Sequence, residues 1–481
     1  MIAKSHIPSA RNQPSSNQLS DPDALNERRV YFPYDGRLVG SVQNVSVAEL
    51  DQAIQLGHSY CSTLSRRERY EILMRTREQI SADRETWARR ITLESGLCLK
   101  DTRHEVGRAC DVLLFAANQA LIDDGQVYSC DVAAIGQARR IYTSRDPLLG
   151  IIGAITPFNH PLNQVVHKVA PAVATNNRII LKPSEKTPLS ALAFADLLYN
   201  AGLPREMLQV LPGNPKDIGE VFVADPRIDL VTFTGSSQVG KHLAGKAIYK
   251  RLILELGGND PLIVLEDADV EQAAKAAVQG AYKNSGQRCT AVKRLLVQRS
   301  VADEFAQALV ELTRALRCGD PLDESTDIGT VIDATSAEYL CKVIDGAQSD
   351  GALVLHGGKR HDALLHPTVL DYVQPHMDLV ANESFGPIAP IIRFDNPEDA
   401  IAIANNSRYA LSAGVFTQEL ALATQFVQRL HAGTVNINEV PGYRLESTPF
   451  GGLKDSGLGY KEGVLEAMKA FTNIKTYSFP W

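Results

Sequence analysis

The chain has 481 residues, 44% of them hydrophobic and 22% charged, with a formal net charge of −7. That length exceeds what one hydrophobic core supports, so two or more domains are expected, and the mixed composition is that of an ordinary globular protein. An acidic balance without a long basic block argues against nucleic-acid binding, and no stretch approaches the roughly 20 continuous apolar residues of a membrane span.

Residues 1–26 are rich in Ser, Asn, Gln and Pro and lack the apolar core of a signal peptide, so they read as a flexible arm. From 46 to about 120 the apolar spacing is helical. Within it, Lys100, His104 and Arg108 fall four apart, on one face of a helix. A solvated basic stripe and an anion-binding face both fit that spacing. Residues 126–128 and 140–142 read as two strands around Gly136. Strands and helices then alternate: strands at 151–155, 178–181, 209–211 and 230–233, helices at 161–173, 190–201 and 216–223. Such alternation implies a mostly parallel sheet with helices on both faces, an architecture that binds nucleotides. A second α/β unit begins after Gly257, with a strand at 261–264, a helix at 270–282 and a strand at 294–297, and runs to about 440. The tail alternates as a strand too short to stand alone. The seven cysteines, at 61, 98, 110, 130, 289, 318 and 341, form no CxxC pair, so neither a metal site nor a disulfide framework is expected, and a reducing, cytoplasmic setting fits.

Three segments carry chemistry. Asn284-Ser285-Gly286-Gln287-Arg288-Cys289-Thr290 sets a cysteine beside a cation among small, turn-prone residues. A nucleophilic thiol needs a neighbouring positive charge, and Arg288 is the expected source. In Leu252-Ile253-Leu254-Glu255-Leu256-Gly257-Gly258, a carboxylate ends an apolar run. Glu255 is either a desolvated general base or a strand-end residue facing water. Asn159, in Thr156-Pro157-Phe158-Asn159-His160-Pro161, lies between a strand and a helix, where it could donate to an oxyanion or cap the helix.

In the order Asn159, Glu255, Cys289, these segments resemble the NAD(P)-dependent aldehyde dehydrogenase superfamily over about residues 28–481. Leu181-Lys182-Pro183-Ser184-Glu185, Phe233-Thr234-Gly235-Ser236, Glu383-Ser384-Phe385-Gly386-Pro387 and Pro449-Phe450-Gly451-Gly452-Leu453-Lys454-Asp455-Ser456-Gly457 add to the resemblance. It implies an α/β fold with a Rossmann-type NAD-binding domain (27–127 and 148–256), a second α/β catalytic domain carrying the cysteine (257–440) and a small β oligomerisation element (128–147 and 465–481) that builds a homodimer or homotetramer. It assigns Cys289 as nucleophile, Glu255 as base and Asn159 as oxyanion donor. Lys182, Ser184, Glu185, Gly235, Ser236, Glu383 and Phe385 are then cofactor-binding. Glu185 favours NAD, with NADP possible, because a carboxylate accepts from a ribose 2′-OH and repels a 2′-phosphate.

The substrate expectation starts from Arg288: a charge beside the nucleophile costs desolvation that an anionic substrate would offset. The string from Gly286 to Arg294 is similar to the branches that oxidise phosphonoacetaldehyde and, without phosphorylation, glyceraldehyde 3-phosphate. The match through Phe158-Asn159-His160, Arg108 and Val440-Pro441-Gly442-Tyr443-Arg444-Leu445-Glu446 is closer to the phosphonoacetaldehyde branch. Arg108, His160, Arg288, Thr290 and Arg444 are therefore expected to contact a small anionic aldehyde, with sulfo- and carboxy-aldehydes as alternatives. A catalytically retired binding or structural protein is the other class; retention of all three reacting residues argues against it.

Overall fold

The computed structural model describes residues 26–123, 125–136, 138–459 and 462–480, and the expected arm lies, apart from Asn26, outside them. After a small hairpin, β1 (Glu27–Tyr31) and β2 (Leu38–Gln43), the helical region resolves into four helices: α1 (Val47–Ser59), α2 (Arg66–Ala82), α3 (Arg84–Ser95) and α4 (Leu99–Ala120). Local signals divide them. Ser46 with Glu49, and Ser65 with Glu68, form capping boxes that start α1 and α2. Gly96 ends α3 in the left-handed region at φ 75°.

The strands β3 (Val127–Ser129) and β4 (Arg139–Pro147) precede a five-stranded parallel sheet. Its strands are β5 (Ile151–Ile155), β6 (Ile179–Lys182), β7 (Leu208–Val210), β8 (Ile228–Thr234) and β9 (Arg251–Glu255), in the order β7-β6-β5-β8-β9. Helices α5 (Asn163–Ala174), α6 (Leu189–Asn200), α7 (Pro215–Ala224) and α8 (Ser237–Lys246) connect them. The strand order reverses between β5 and β8, which opens a crevice at the carboxyl ends of both.

A second, seven-stranded sheet follows. It holds β10 (Asp260–Val264), β11 (Val292–Gln298), β12 (Leu353–His356), β13 (Thr368–Asp371), β14 (Ile388–Phe394), β15 (Ser412–Phe416) and β16 (Thr434–Ile437), in the order β12-β13-β14-β11-β10-β15-β16. Only β12 pairs antiparallel. Both sheets are covered by helices, α9 (Val270–Tyr282) and α10 (Ala302–Arg314) among them on the second, and their central strands read as continuous apolar runs for that reason. The tail strand β17 (Thr472–Pro480) pairs along its whole length with β4 of the same chain, giving a three-stranded sheet. That sheet leaves Val127, Tyr128, Ile141, Ile474, Tyr477 and Phe479 exposed.

Candidate active site

Cys289 sits in the loop between α9 and β11, behind a turn that only a densely bonded structure would hold. Asn284, Ser285 and Gly286 are consecutively left-handed, at φ 57°, 51° and 69°. For the two non-glycine residues this conformation costs on the order of 1 kcal/mol or more each. The bonds that hold it come from distant elements. Asp101 on α4 accepts from the Asn284 N–H at 2.7 Å, and the Asn284 amide donates to His160 Nε2 at 2.8 Å. Ser285 Oγ donates to the Gly329 carbonyl, and the Lys293 ammonium bridges the carbonyls of Gly286 and Gly386 at 2.7 and 2.8 Å. A Cβ on Gly286 would lie 2.1 Å from the Gly386 oxygen, and one on Gly258 2.0 Å from the Cys289 carbonyl oxygen. The Gly257-Gly258 pair therefore lets the β9–β10 connection pass directly against the cysteine.

Asn159 follows β5 and is 7% exposed, and its amide donates to the Gln287 carbonyl at 2.8 Å. It does not cap α5: the N–H groups of Leu162 and Asn163 donate to Glu105 Oε1 on α4, at 2.8 and 2.9 Å. Glu255 ends β9 at 3% exposure, so the water-facing alternative falls, and its charge bears on the Cys289 sulfur.

The role expected of Arg288 toward the thiol needs correction. Its guanidinium turns back onto α9 and donates to the carbonyls of Gln279 and Gly280, at 3.4 and 2.8 Å. The last turn of a helix has orphan carbonyls and the negative end of the dipole, and these take the arginine. Burial pushes the Cys289 thiol up to about 12, Arg444 is the main cation opposing that rise, and Asp260, Glu383 and Glu255 add to it. Cys289 is thus a thiol, not a thiolate, at neutral pH.

Around this point the expected substrate residues converge. His160 is buried and held well below its usual range by desolvation and by Arg108, Arg288, Lys283 and Arg444. It is neutral, and its Nε2 is occupied by Asn284, so it does not contribute a positive charge. Four cations nevertheless surround it. Arg108 is partly neutralised by an ion pair with Glu446, which also accepts from His167 at 2.6 Å and lies 3.9 Å from Arg444. Burial pushes the Glu446 carboxyl up, but His167, Arg108 and Arg444 outweigh it and hold the group well below the carboxylate range. Arg288 Nε is buried with no hydrogen-bond partner among the described residues. A buried orphan donor on an arginine calls for an acceptor that the protein itself does not supply. Thr290 packs against Gly442, where a Cβ would come within 2.6 Å of its hydroxyl. Lys283, Glu446 and His167 were not singled out for roles of their own: Glu446 and His167 reach the cluster from other parts of the chain, and Lys283, directly before Asn284, carries no local sign that its ammonium turns toward His160.

On the other side of Cys289, a cavity of about 410 Å³ is lined by Phe158, Asn159, Thr234, Gly235, Ser236, Gly257, Glu383 and Phe385. Ser236 caps α8, its hydroxyl accepting from Val239 N–H at 3.4 Å, and the helix N-terminus opens on the cavity through Gly235 and Ser236. Thr234 Oγ1 is buried and has no partner among the described residues. A helix N-terminus beside an unsatisfied hydroxyl suits a pyrophosphate and ribose. Burial raises the Glu383 carboxyl to about 7, against the Gly258 N–H at 3.1 Å and Lys293. Phe385 meets Phe158 edge-on, 5.9 Å between centroids. Lys182 ends β6 buried, its ammonium lowered by desolvation and donating to the Pro183 carbonyl at 3.3 Å. Ser184 accepts from the Lys186 N–H, and Glu185 is half-buried; these three residues do not line the cavity.

The model of the aldehyde dehydrogenase family matches residues 20–477. The chain belongs to the aldehyde dehydrogenase family. It is 37% identical to the lactaldehyde dehydrogenase of Methanococcus aeolicus over 92% of this chain and 95% of that protein. It is also 37% identical to the 3-sulfolactaldehyde dehydrogenase of Priestia aryabhattai, over 89% of this chain and 88% of that one. Among solved structures, glyceraldehyde-3-phosphate dehydrogenase GapN from Methanocaldococcus jannaschii, complexed with NADP, is similar at TM-score 0.90 and 37% identity, covering 94% of this chain and 99% of that one. This aldehyde dehydrogenase is an NAD(P)-dependent oxidoreductase of a small aldehyde.

Proposed function

We propose that the substrate is a short aldehyde ending in a dianion, phosphonoacetaldehyde before others, which is oxidised to phosphonoacetate. The observation that carries this reading is the gathering of the charges of Arg108, Lys283, Arg288 and Arg444 around His160, next to Asn159, with a buried donor of Arg288 left unpaired. Like charges so placed repel one another, and a phosphoryl group relieves that repulsion while meeting the planar fork of an arginine. Phosphonoacetaldehyde comes first because of the sequence match through Arg108, His160, Arg288 and the Val440-to-Glu446 segment. A sulfonated or phosphorylated three-carbon aldehyde is the second reading, favoured by the relatives that act on 3-sulfolactaldehyde and glyceraldehyde 3-phosphate.

In this reading, Cys289 Sγ forms a bond to the aldehyde carbon, and because the thiol starts protonated its proton must leave as that bond forms. That proton passes to solvent, which leaves Glu255, one of three buried carboxylates with Asp260 and Glu383 whose charges bear on the sulfur, unprotonated for the hydrolytic step. The oxygen becomes an oxyanion held by the second N–H of the Asn159 amide and the Cys289 backbone N–H, donors in place before the charge develops. NAD(P) would supply the hydride acceptor, held along the cavity by Gly235, Ser236, Glu383 and Phe385 and beyond it by Lys182, Ser184 and Glu185. The remaining thioester on Cys289 is cleaved by water that gives a proton to Glu255, releasing the carboxylate and the thiol. Aldehyde, oxidised cofactor and one water become carboxylate, reduced cofactor and two protons. The half-buried Glu185 carboxylate supports NAD over NADP.

The test is kcat/KM for phosphonoacetaldehyde, 3-sulfolactaldehyde, glyceraldehyde 3-phosphate and propionaldehyde, with NAD and with NADP, in wild type and Arg108→Ala. Truncating one partner of a desolvated charge contact typically costs ~2–5 kcal/mol, so Arg108→Ala should lower kcat/KM for the preferred anion by roughly 30-fold or more and for propionaldehyde much less. An equal loss on charged and uncharged aldehydes would make Arg108 a partner of Glu446 and nothing more.

A further inference from the structure

The four cations around His160 do not all face the reacting sulfur. Lys283 follows α9 and lines a separate cavity of about 400 Å³ between α4 and α9, together with Lys100, Asp101, His104, Lys275 and Gln279. Two of the three lysines there are already committed: Lys100 pairs with Asp327 at 3.2 Å and Lys275 with Glu271 at 2.6 Å. The half-buried Lys283 ammonium makes no hydrogen bond or ion pair among the described residues. Asp101, the acid facing it, spends its carboxylate on the Asn284 N–H and the Cys98 thiol and is itself pushed toward neutrality by burial.

The ordinary reason for a lysine at this place is a helix C-terminus, whose last carbonyls attract cations. Here those carbonyls, of Gln279 and Gly280, are taken by Arg288 and by the Lys283 backbone N–H. What remains is a cation beside others. Desolvation, with Arg288, Arg108 and Lys100, lowers the ammonium to about 8, and only Asp101 opposes them. Lys283 also contributes to the field that keeps His160 neutral. It therefore touches both places electrostatically: the outer cavity and the inner cluster.

We propose that Lys283 is a specificity-determining residue, the first cation met by the anionic end of the aldehyde as it enters through the cavity between α4 and α9 on its way to Arg288 and Arg108. This deepens the proposed function and rests on its anionic substrate. An unpaired cation in a low-dielectric cleft raises the local concentration of an anion and its rate of capture, by ten- to a thousandfold in steered systems. It contributes little to a neutral ligand, and its effect is screened by salt.

The experiment measures kcat and KM for phosphonoacetaldehyde and propionaldehyde, at low and high ionic strength, in wild type, Lys283→Met and Lys283→Arg. Lys283→Met should lower kcat/KM for phosphonoacetaldehyde about tenfold, mostly through KM, and flatten its salt dependence. Lys283→Arg should recover most of the loss, and propionaldehyde should lose far less. An equal loss on both aldehydes would make Lys283 a structural end to α9, and unchanged kinetics in Lys283→Met would remove it from the substrate path while leaving the anionic substrate standing. Absence of any preference for phosphonoacetaldehyde over propionaldehyde in wild type would overturn both readings together.

Discussion

Arg288 is the nearest cation to Cys289 in sequence, but Arg444, 155 residues further on, is the main cation acting on its thiol. Adjacent side chains diverge, and the guanidinium of Arg288 has better acceptors at the end of α9. The consequence is measurable on the free enzyme. With the thiol pushed up to about 12, alkylation of Cys289 by iodoacetamide, followed on its own peptide, should keep rising with pH and show no plateau near neutrality. Arg444→Gln removes the cation that lowers the thiol, so its alkylation at about pH 8 should slow several-fold, each unit of pKa being worth about a factor of ten. A plateau near neutral pH in wild type would mean that Cys289 is a resting thiolate.

At the scale of elements, two buried acids from the helical layer hold the starts of two helices that pack on the first sheet, α5 and α6. Glu105 on α4 accepts from the first N–H groups of α5, and Glu94 on α3 accepts from Leu189 and Ser190 at the start of α6. Glu105 lies less than one turn from Arg108, so one helix anchors both the Asn159 loop and part of the cation cluster. Burial raises both carboxyls from 4.5 to about 7, against the N–H donors. Between those values the folded state holds protons that the unfolded chain has released. Their stabilising contribution is therefore complete below about pH 4.5 and is lost as pH rises through about 7, on the order of 3 kcal/mol for each group. Glu105→Gln keeps an acceptor oxygen and cannot ionise, so its Tm should fall less steeply than wild type between about pH 5 and about pH 8. Parallel slopes for the two proteins would show that Glu105 does not titrate in this range.

Across the whole molecule, the site lies where two sheets meet. The carboxyl ends of β5, β8 and β9 supply Asn159, Gly235 and Glu255, and the loop entering β11 supplies Cys289. Much of this was legible. Strands buried on both faces read as apolar runs, helices alternate with them, and the order Asn, Glu, Cys stands in recognisable local strings. Most strand edges moved by one or two residues, the strand expected at 140–142 runs on to Pro147, and the run from 46 to 120 divided at caps that periodicity alone does not show. What closes over long distances was not legible: Glu446 reaches Arg108 across 338 positions, and Glu105 takes the cap of α5, which local spacing offered to Asn159. No local pattern encodes such pairings, since they depend on how the layers pack. The central claim is that a short anionic aldehyde passes through a covalent acyl intermediate on Cys289, and Glu255→Gln makes it directly testable by stopping the thioester from being hydrolysed. Mixing this variant with phosphonoacetaldehyde and NAD, quenching in acid and mapping peptides by mass should give a burst of NADH and a phosphonoacetyl adduct on the peptide containing Cys289 alone. An adduct on Cys98, Cys110, Cys318 or Cys341, or steady NADH production with no adduct, would contradict the account.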